Sequence, residues 1–246
     1  MTTTAVFRSE WTKFTTLRSQ WFTPLLAVLL SVGITLAVNK AYAADTSLHE
    51  DPSVGLYYGL NFGQVALACF GVLLLGQEYD SGTVRASLTA VPRRGRLYLG
   101  KLLLGGGVGL LAGLLITAGS ALSMNATDAW NFDLAEPGTV RSLAAGVLYC
   151  PLLVLLCLGL TAVLRNLTAA MGLITPMVFL GTTALSAIPG VRLAGQFLPD
   201  RAGQYAFRFQ GDPNIWFGHW TGLLIMATWT ALALYGGWRS LSRKDV

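Results

Sequence analysis

Six apolar runs of nearly equal length, separated by short polar stretches, leave few folds open to this chain. They cover about residues 21–43, 55–76, 101–124, 140–164, 167–188 and 218–238. A helix needs about 20 apolar residues to cross the hydrocarbon core of a bilayer. Inside that core every backbone polar group must be satisfied within the segment, which selects helices. Of the 246 residues 53% are hydrophobic and only 12% charged, against about 25% charged in an ordinary soluble domain. The expected fold is therefore an all-α membrane protein: six transmembrane helices in a single transmembrane domain over 1–246, with no room for a separate soluble domain. The sequence pI of about 9.3 could suggest nucleic acid. The basic residues lie near the ends of the runs, however, which suits the cytoplasmic face of a membrane and excludes a nucleic-acid partner.

Residues 5–20 are too polar to span. Phe7, Trp11, Phe14 and Trp21 recur at helical spacing with Arg8, Glu10, Lys13 and Arg18 between them, the pattern of an amphipathic helix lying in the interface. Ala41-Tyr42-Ala43 has the form of a signal-peptidase site. The apolar run before it is longer than a usual signal core, so it is read as a first span. In the second run Gly55, Gly59 and Gly63 share one helical face, and in the third Gly105, Gly109 and Gly113 do the same. Such spacing permits close helix approach. The third run's glycines are not a nucleotide loop, because no Gly-Lys-Ser/Thr follows them. Asn61 and Gln64 are the strongly polar members of the second run. They either hydrogen-bond across the bundle or line a path. Pro151 and Pro176 are expected kinks within the fourth and fifth runs.

Residues 78–100 form the longest polar stretch between two runs on the basic side. They hold Glu78, Asp80, Ser81, Gly82, Thr83, Arg85, Pro92, Arg93, Arg94 and Arg96, with Lys101 at the mouth of the third run. Ser81 can cap a short helix over 81–90, and Pro92 ends it. Such a basic segment either sits among lipid headgroups or docks on a soluble partner. A second long connection, 190–217, is too aromatic for a solvated loop. It reads as two short interfacial or re-entrant helices broken at Pro199. With both termini inside, the inner segments hold Arg8, Lys13, Arg18, Arg85, Arg93, Arg94, Arg96, Lys101, Arg165, Arg239, Arg243 and Lys244, which is 12 of the 17 basic residues. That bias fixes the expected orientation.

The chain carries no metal-ligand cluster and no credible nucleophile–base set. His49 and His219 are isolated, and Cys69, Cys150 and Cys157 lie in apolar runs as packing residues. A membrane-embedded enzyme therefore lacks a catalytic set. No carboxylate lies in the middle of a run, which counts against a proton-coupled antiporter, while sodium could still be coordinated by carbonyls and hydroxyls. No Walker motif is present, so energy for uphill transport would come from a separate polypeptide.

Phe7-Arg-Ser-Glu10-Trp11-Thr-Lys13 with Leu17-Arg18-Ser19, and Glu78-Tyr79-Asp80-Ser81-Gly82-Thr83-Val84-Arg85 with Pro92-Arg93-Arg94 and Lys101, resemble the opening and the first cytoplasmic loop of ABC-2 type transporter permeases. These are the membrane-spanning subunits of ABC exporters. The resemblance covers the topology of nearly the whole chain, and motifs in these two stretches alone. It implies that residues 5–20 form a connecting helix beside an ATPase subunit. It further implies that 81–90 is a coupling helix docked on that subunit, with Glu78 and Arg85 as polar contacts. Arg93, Arg94 and Arg96 would sit at the same interface or on lipid phosphates. A second permease copy would complete the membrane part. ATP and magnesium would belong to the ATPase, with no cofactor in this chain. The expected setting is the bacterial plasma membrane, with both termini cytoplasmic. The rival reading is a non-transporting scaffold, immunity or sensor subunit.

Overall fold

The computed structural model describes residues 3–44, 51–83, 94–127, 135–178 and 192–243. All regular structure among them is helical. In chain order the helices are α1 (Thr3–Thr16), α2 (Arg18–Ala44), α3 (Pro52–Tyr57), α4 (Leu60–Asp80), α5 (Arg94–Thr127), α6 (Pro137–Leu164), α7 (Leu167–Pro176), α8 (Arg192–Gly195), α9 (Pro199–Ala206) and α10 (His219–Arg243). Four of them, α2, α4, α5 and α6, are long and apolar enough to cross a membrane. The fifth expected run begins as α7, and its second half lies outside the described residues. The sixth run is the single 25-residue helix α10, whose tryptophans and threonines hold its mean hydropathy below that of the other four.

The distribution of polar groups is the reverse of that in a water-soluble bundle. The buried stripe of α2 is Gln20, Pro24, Ala27, Ser31, Thr35 and Asn39, while Phe22, Leu25 and Leu29 are exposed. On α5, Lys101, Thr117, Ser120 and Ser123 are buried, and Leu103, Leu111, Leu114, Leu115 and Leu122 face outward. In water this arrangement would leave much apolar area hydrated at about 25 cal/mol per Å². In lipid it places interhelical hydrogen bonds where they are worth making. Asn39 Nδ2 donates to Gly55 O at 3.0 Å and to Ser123 Oγ at 2.8 Å, joining α2, α3 and α5.

Local chemistry sets most helix ends. Asp51 caps α3 by accepting from Ser53 N at 2.9 Å, with Pro52 in the first turn. The second run is not one unbroken helix. It turns at Tyr58–Gly59 between α3 and α4, where the Gly59 N–H donates to Thr35 Oγ1 at 3.1 Å. Arg165 ends α6 in the left-handed region at φ 55°, and Asn166 then caps α7 by accepting from Ala169 N. Two residues thus reverse the chain. Toward the other end of the sequence, α8 and α9 occupy the aromatic stretch after residue 190, and Pro199 opens α9. α9 packs on α10 and α6.

The glycine faces are consumed within the chain. A Cβ on Gly59 would lie 1.9 Å from Ser31 O, and one on Gly63 1.9 Å from Ser31 Oγ. These two glycines bring α4 against the polar stripe of α2. Gly109 and Gly113 bring α5 against α6 at its proline: their added Cβ atoms would meet Pro151 Cα at 2.8 Å and Val147 O at 2.6 Å. Pro151 has no N–H for the Val147 carbonyl four residues earlier, and that carbonyl lies over Gly113. Gly105 faces Leu74 and Gly55 is buried within α3. By contrast, a Cβ on Gly107 meets nothing within 4 Å. Gly109→Leu is therefore expected to cost about 1–3 kcal/mol by overpacking against backbone, whereas Gly107→Ala is tolerated. The monodisperse fraction after graded heating in detergent measures both, and equal midpoints for the two variants would contradict the packing described.

Candidate functional site

Four charged side chains meet where α1, α4 and α5 converge. Glu10 and Lys13 come from α1, Glu78 from the last turn of α4, and Lys101 from the second turn of α5. Lys101 Nζ donates to Glu10 Oε2, Glu78 Oε1 and Leu74 O, each at 2.8 Å. All three donors of the ammonium are thereby used. Lys13 Nζ donates to Glu10 Oε1 at 2.8 Å and to Glu78 Oε1 at 2.7 Å. The formal charges cancel. Side-chain exposure is 1% for Lys101, 2% for Glu10, 10% for Glu78 and 35% for Lys13, so the network is sealed on one side and reaches the surface through Lys13.

Each helix brings its charge to this point by the spacing of its packing face. Val6, one turn before Glu10, lies against Gly100 and packs with Leu97. Lys101 stands four residues before Gly105 and continues the stripe that holds α5 in the bundle. Phe14 closes the apolar side by stacking edge-on against Phe70 at 6.0 Å. The Lys13 ammonium is outside the apolar helices. Burial lowers its pKa, but the hydrogen bonds and charges of Glu10 and Glu78 outweigh this and lift it above the ordinary 10.5. Its contribution to stability is therefore complete below that value and fades only as pH rises through the lifted one.

This placement changes the reading of two residues. Glu78, expected as a polar contact for a docked partner, is turned inward, and its carboxylate accepts from two lysines. Glu10, expected on the polar face of an interfacial helix, is buried beneath α1. Of the remaining segment, Asp80 ends α4 and is exposed together with Ser81, Gly82 and Thr83. Ser81 is the C-cap of α4, with its Oγ donating to Gln77 O at 2.7 Å, and Gly82 supplies φ 68°. Arg85, Pro92 and Arg93, with most of the expected helix over 81–90, lie outside the described residues. Arg94 and Arg96 form the first turn of α5, and Arg94 Nη1 donates to Leu241 O at 2.8 Å. A cation here suits the C-terminal end of α10. Phe7, Trp11 and Arg18 are exposed beside the network, and Phe14 is half-buried.

The two amides of the second run separate. Gln64 is buried and accepts at Oε1 from Tyr149 at 2.6 Å and from Gln204 at 3.0 Å, tying α4 to α6 and α9. Asn61 is exposed and donates to Tyr58 O at 3.2 Å. Asp200, in the first turn of α9, is buried beside this second polar group. Its position between two runs hid it from a search for carboxylates inside them. Among the described residues no group of His, Cys, Asp and Glu is arranged to hold a metal ion. No protein-family model matches the chain, and no curated protein matches it.

Removing one partner of a buried ion pair leaves an uncompensated charge, at about 3–5 kcal/mol. Lys101→Met is expected to fall in that range and to lower the folded yield. Glu10→Gln combined with Lys101→Met leaves the neutral Lys13–Glu78 pair and should recover part of the loss. Lys13→Ala should cost less than either. A double-mutant cycle on thermal midpoints in detergent measures the coupling, and strictly additive effects would refute a shared network.

Proposed function

We propose that this chain is the membrane permease subunit of an ATP-driven exporter of the ABC-2 type. It would have six spans with both termini cytoplasmic, in a bacterial plasma membrane, and would act with a separate ATPase and a second permease copy. The observation that carries this reading is the charge network at the root of the segment between α4 and α5. α4 ends at Asp80, just after Glu78, and α5 begins at Arg94, just before Lys101. Both roots of that segment are fastened to α1, through Glu78 below Lys13 and through Lys101 below Glu10. A partner that displaced the segment would move α1, α4 and α5 as one body. Force would then reach the two polar interhelical joints, at Asn39 and at Gln64, without any chemistry in this chain.

The same end carries Arg8, Arg18, Arg94, Arg96, Arg165 and Arg239. Arg165 is bound to Ser240 through its side-chain oxygen and its carbonyl, and Gly95 stands near Trp238. The acids Glu10 and Glu78 are neutralised by lysines, which leaves Asp80 as the exposed acid there among the described residues. By the positive-inside rule this would be the cytoplasmic end, where an ATPase would dock.

The test is ATP hydrolysis by the candidate ATPase reconstituted in lipid with this chain, comparing wild type, Arg85→Ala and a replacement of residues 84–90 by a Gly/Ser linker. Glu78 is left intact, because its loss would unseat the bundle. Permease-dependent hydrolysis that falls at least about tenfold with the linker, while insertion and thermal midpoint are unchanged, is the expected outcome for a lost docking element worth about 1.4 kcal/mol or more. Full association and hydrolysis with the linker in place would sink the docking reading and favour a scaffold or sensor subunit.

A further inference from the structure

We infer that the chain holds one phospholipid at a fixed site, with an acyl chain in a slot between α2 and α5 and the headgroup phosphate on Arg8. The inference rests on the chain being embedded in a bilayer and is independent of any ATPase partner.

The slot has a volume of about 290 Å³ and is walled by Phe7 and Trp11 of α1, Val28 of α2, and Leu103 and Leu115 of α5. Gly107 forms part of its floor, with no atom within 4 Å of an added Cβ. Farther along, Val32 closes on Gly119, where a Cβ would lie 2.7 Å from Val32 Cγ2. The slot is therefore blind at that end and open to the outside along its length: Leu103 and Leu115 are 58% and 51% exposed. From Leu103 to Leu115 the helix rises about 18 Å at 1.5 Å per residue. One leaflet of a ~30 Å core is about 15 Å deep. The slot thus accommodates a single acyl chain of one leaflet and stops near the midplane.

The polar end of the ligand follows from α1. A second hollow, lined by Ala5, Phe7, Arg8 and Trp11, shares Phe7 and Trp11 with the slot. Arg8 is exposed, and its guanidinium makes no hydrogen bond or ion pair among the described residues. Trp11 is 48% exposed at the same level, the depth at which indoles settle in a bilayer. A guanidinium at the mouth of an acyl slot matches a phosphodiester, which it can bind through two parallel N–H···O bonds. The buried acids beneath α1 are already neutralised by lysines, so the charge at this mouth is that of Arg8. An anionic headgroup is favoured over a zwitterionic one.

The full-length chain, purified in mild detergent, is exchanged into nanodiscs containing phosphatidylglycerol and phosphatidylcholine in equal amounts. It is then re-extracted, and bound lipid is counted by native mass spectrometry. Wild type should retain one phospholipid per chain, enriched in phosphatidylglycerol. Arg8→Gln should lower retained phosphatidylglycerol about tenfold, as expected for loss of a charge-assisted pair of hydrogen bonds, with phosphatidylcholine little changed. Gly107→Phe should lower both lipids. Should that variant fail to insert, Leu103→Trp narrows the slot from an exposed position and takes its place. Equal retention in inserted wild type and variants overturns the site. Loss of a dimer with Gly107→Phe at unchanged lipid retention also overturns it, since the slot would then belong to a second copy of the chain.

Discussion

The Lys101 ammonium, almost without solvent contact, is the constraint around which one end of this molecule is built. A single buried cation of this kind is costly in any low-dielectric surrounding. The chain meets that cost with two carboxylates from different helices and one backbone carbonyl. The consequence is geometric as much as energetic. Glu10 and Glu78 are 68 residues apart in sequence, and both must reach the same nitrogen for α5 to enter the bundle where it does. The position of α1 follows: it cannot drift freely in an interface while Glu10 is beneath it. Lys13 then becomes the cover, half in solvent, balancing the second charge.

At the far end two joints are made by neutral groups, with Asp200 buried beside the second and Arg141 donating to the carbonyls of Ala206 and Arg208. Asn39, Gly55 and Ser123 join α2, α3 and α5, and Gln64, Tyr149 and Gln204 join α4, α6 and α9. Neutral amides and hydroxyls are cheaper to bury than ions, and each is worth only a modest interhelical hydrogen bond. The charged end is thus fixed by the Lys101 network, while the far end combines polar joints with the close approach of Gly59 and Gly63 to Ser31.

Much of the fold was legible because lipid imposes a simple rule on a chain. Long apolar runs become helices, and α2, α5 and α6 fall on the runs expected for them with their ends displaced, while Asn166 caps the start of α7. The turn at Tyr58–Gly59 was not legible. It depends on Thr35 of another helix accepting the freed N–H, which no local pattern encodes. The charge network was not legible as a network. Lys101 was placed at the mouth of the third run and Glu10 on the polar face of an interfacial helix, although Gly105 and Val6, one turn away from each, mark the faces that pack. What misled was their chemistry. Charge near the end of an apolar run is usually solvated, and only the pairing of three helices reverses that expectation.

The exposed surface argues for how the molecule meets its surroundings. The glycines that approach backbone are already occupied inside the chain, so Gly59, Gly63, Gly109 and Gly113 have no close-packing face left to offer a second copy. Any partner within the bilayer must use other surfaces, such as that around exposed Asn61, Tyr58 and Phe62, where a hydrogen-bonding amide stands among aromatics. An amide facing lipid is poorly placed alone, and burial against another protein surface would relieve it. The slot under Trp11 lies on a different side of α4's neighbours, bounded by α2 and α5. Its lining includes none of Asn61, Tyr58 and Phe62, so a lipid in the slot would leave that surface uncovered.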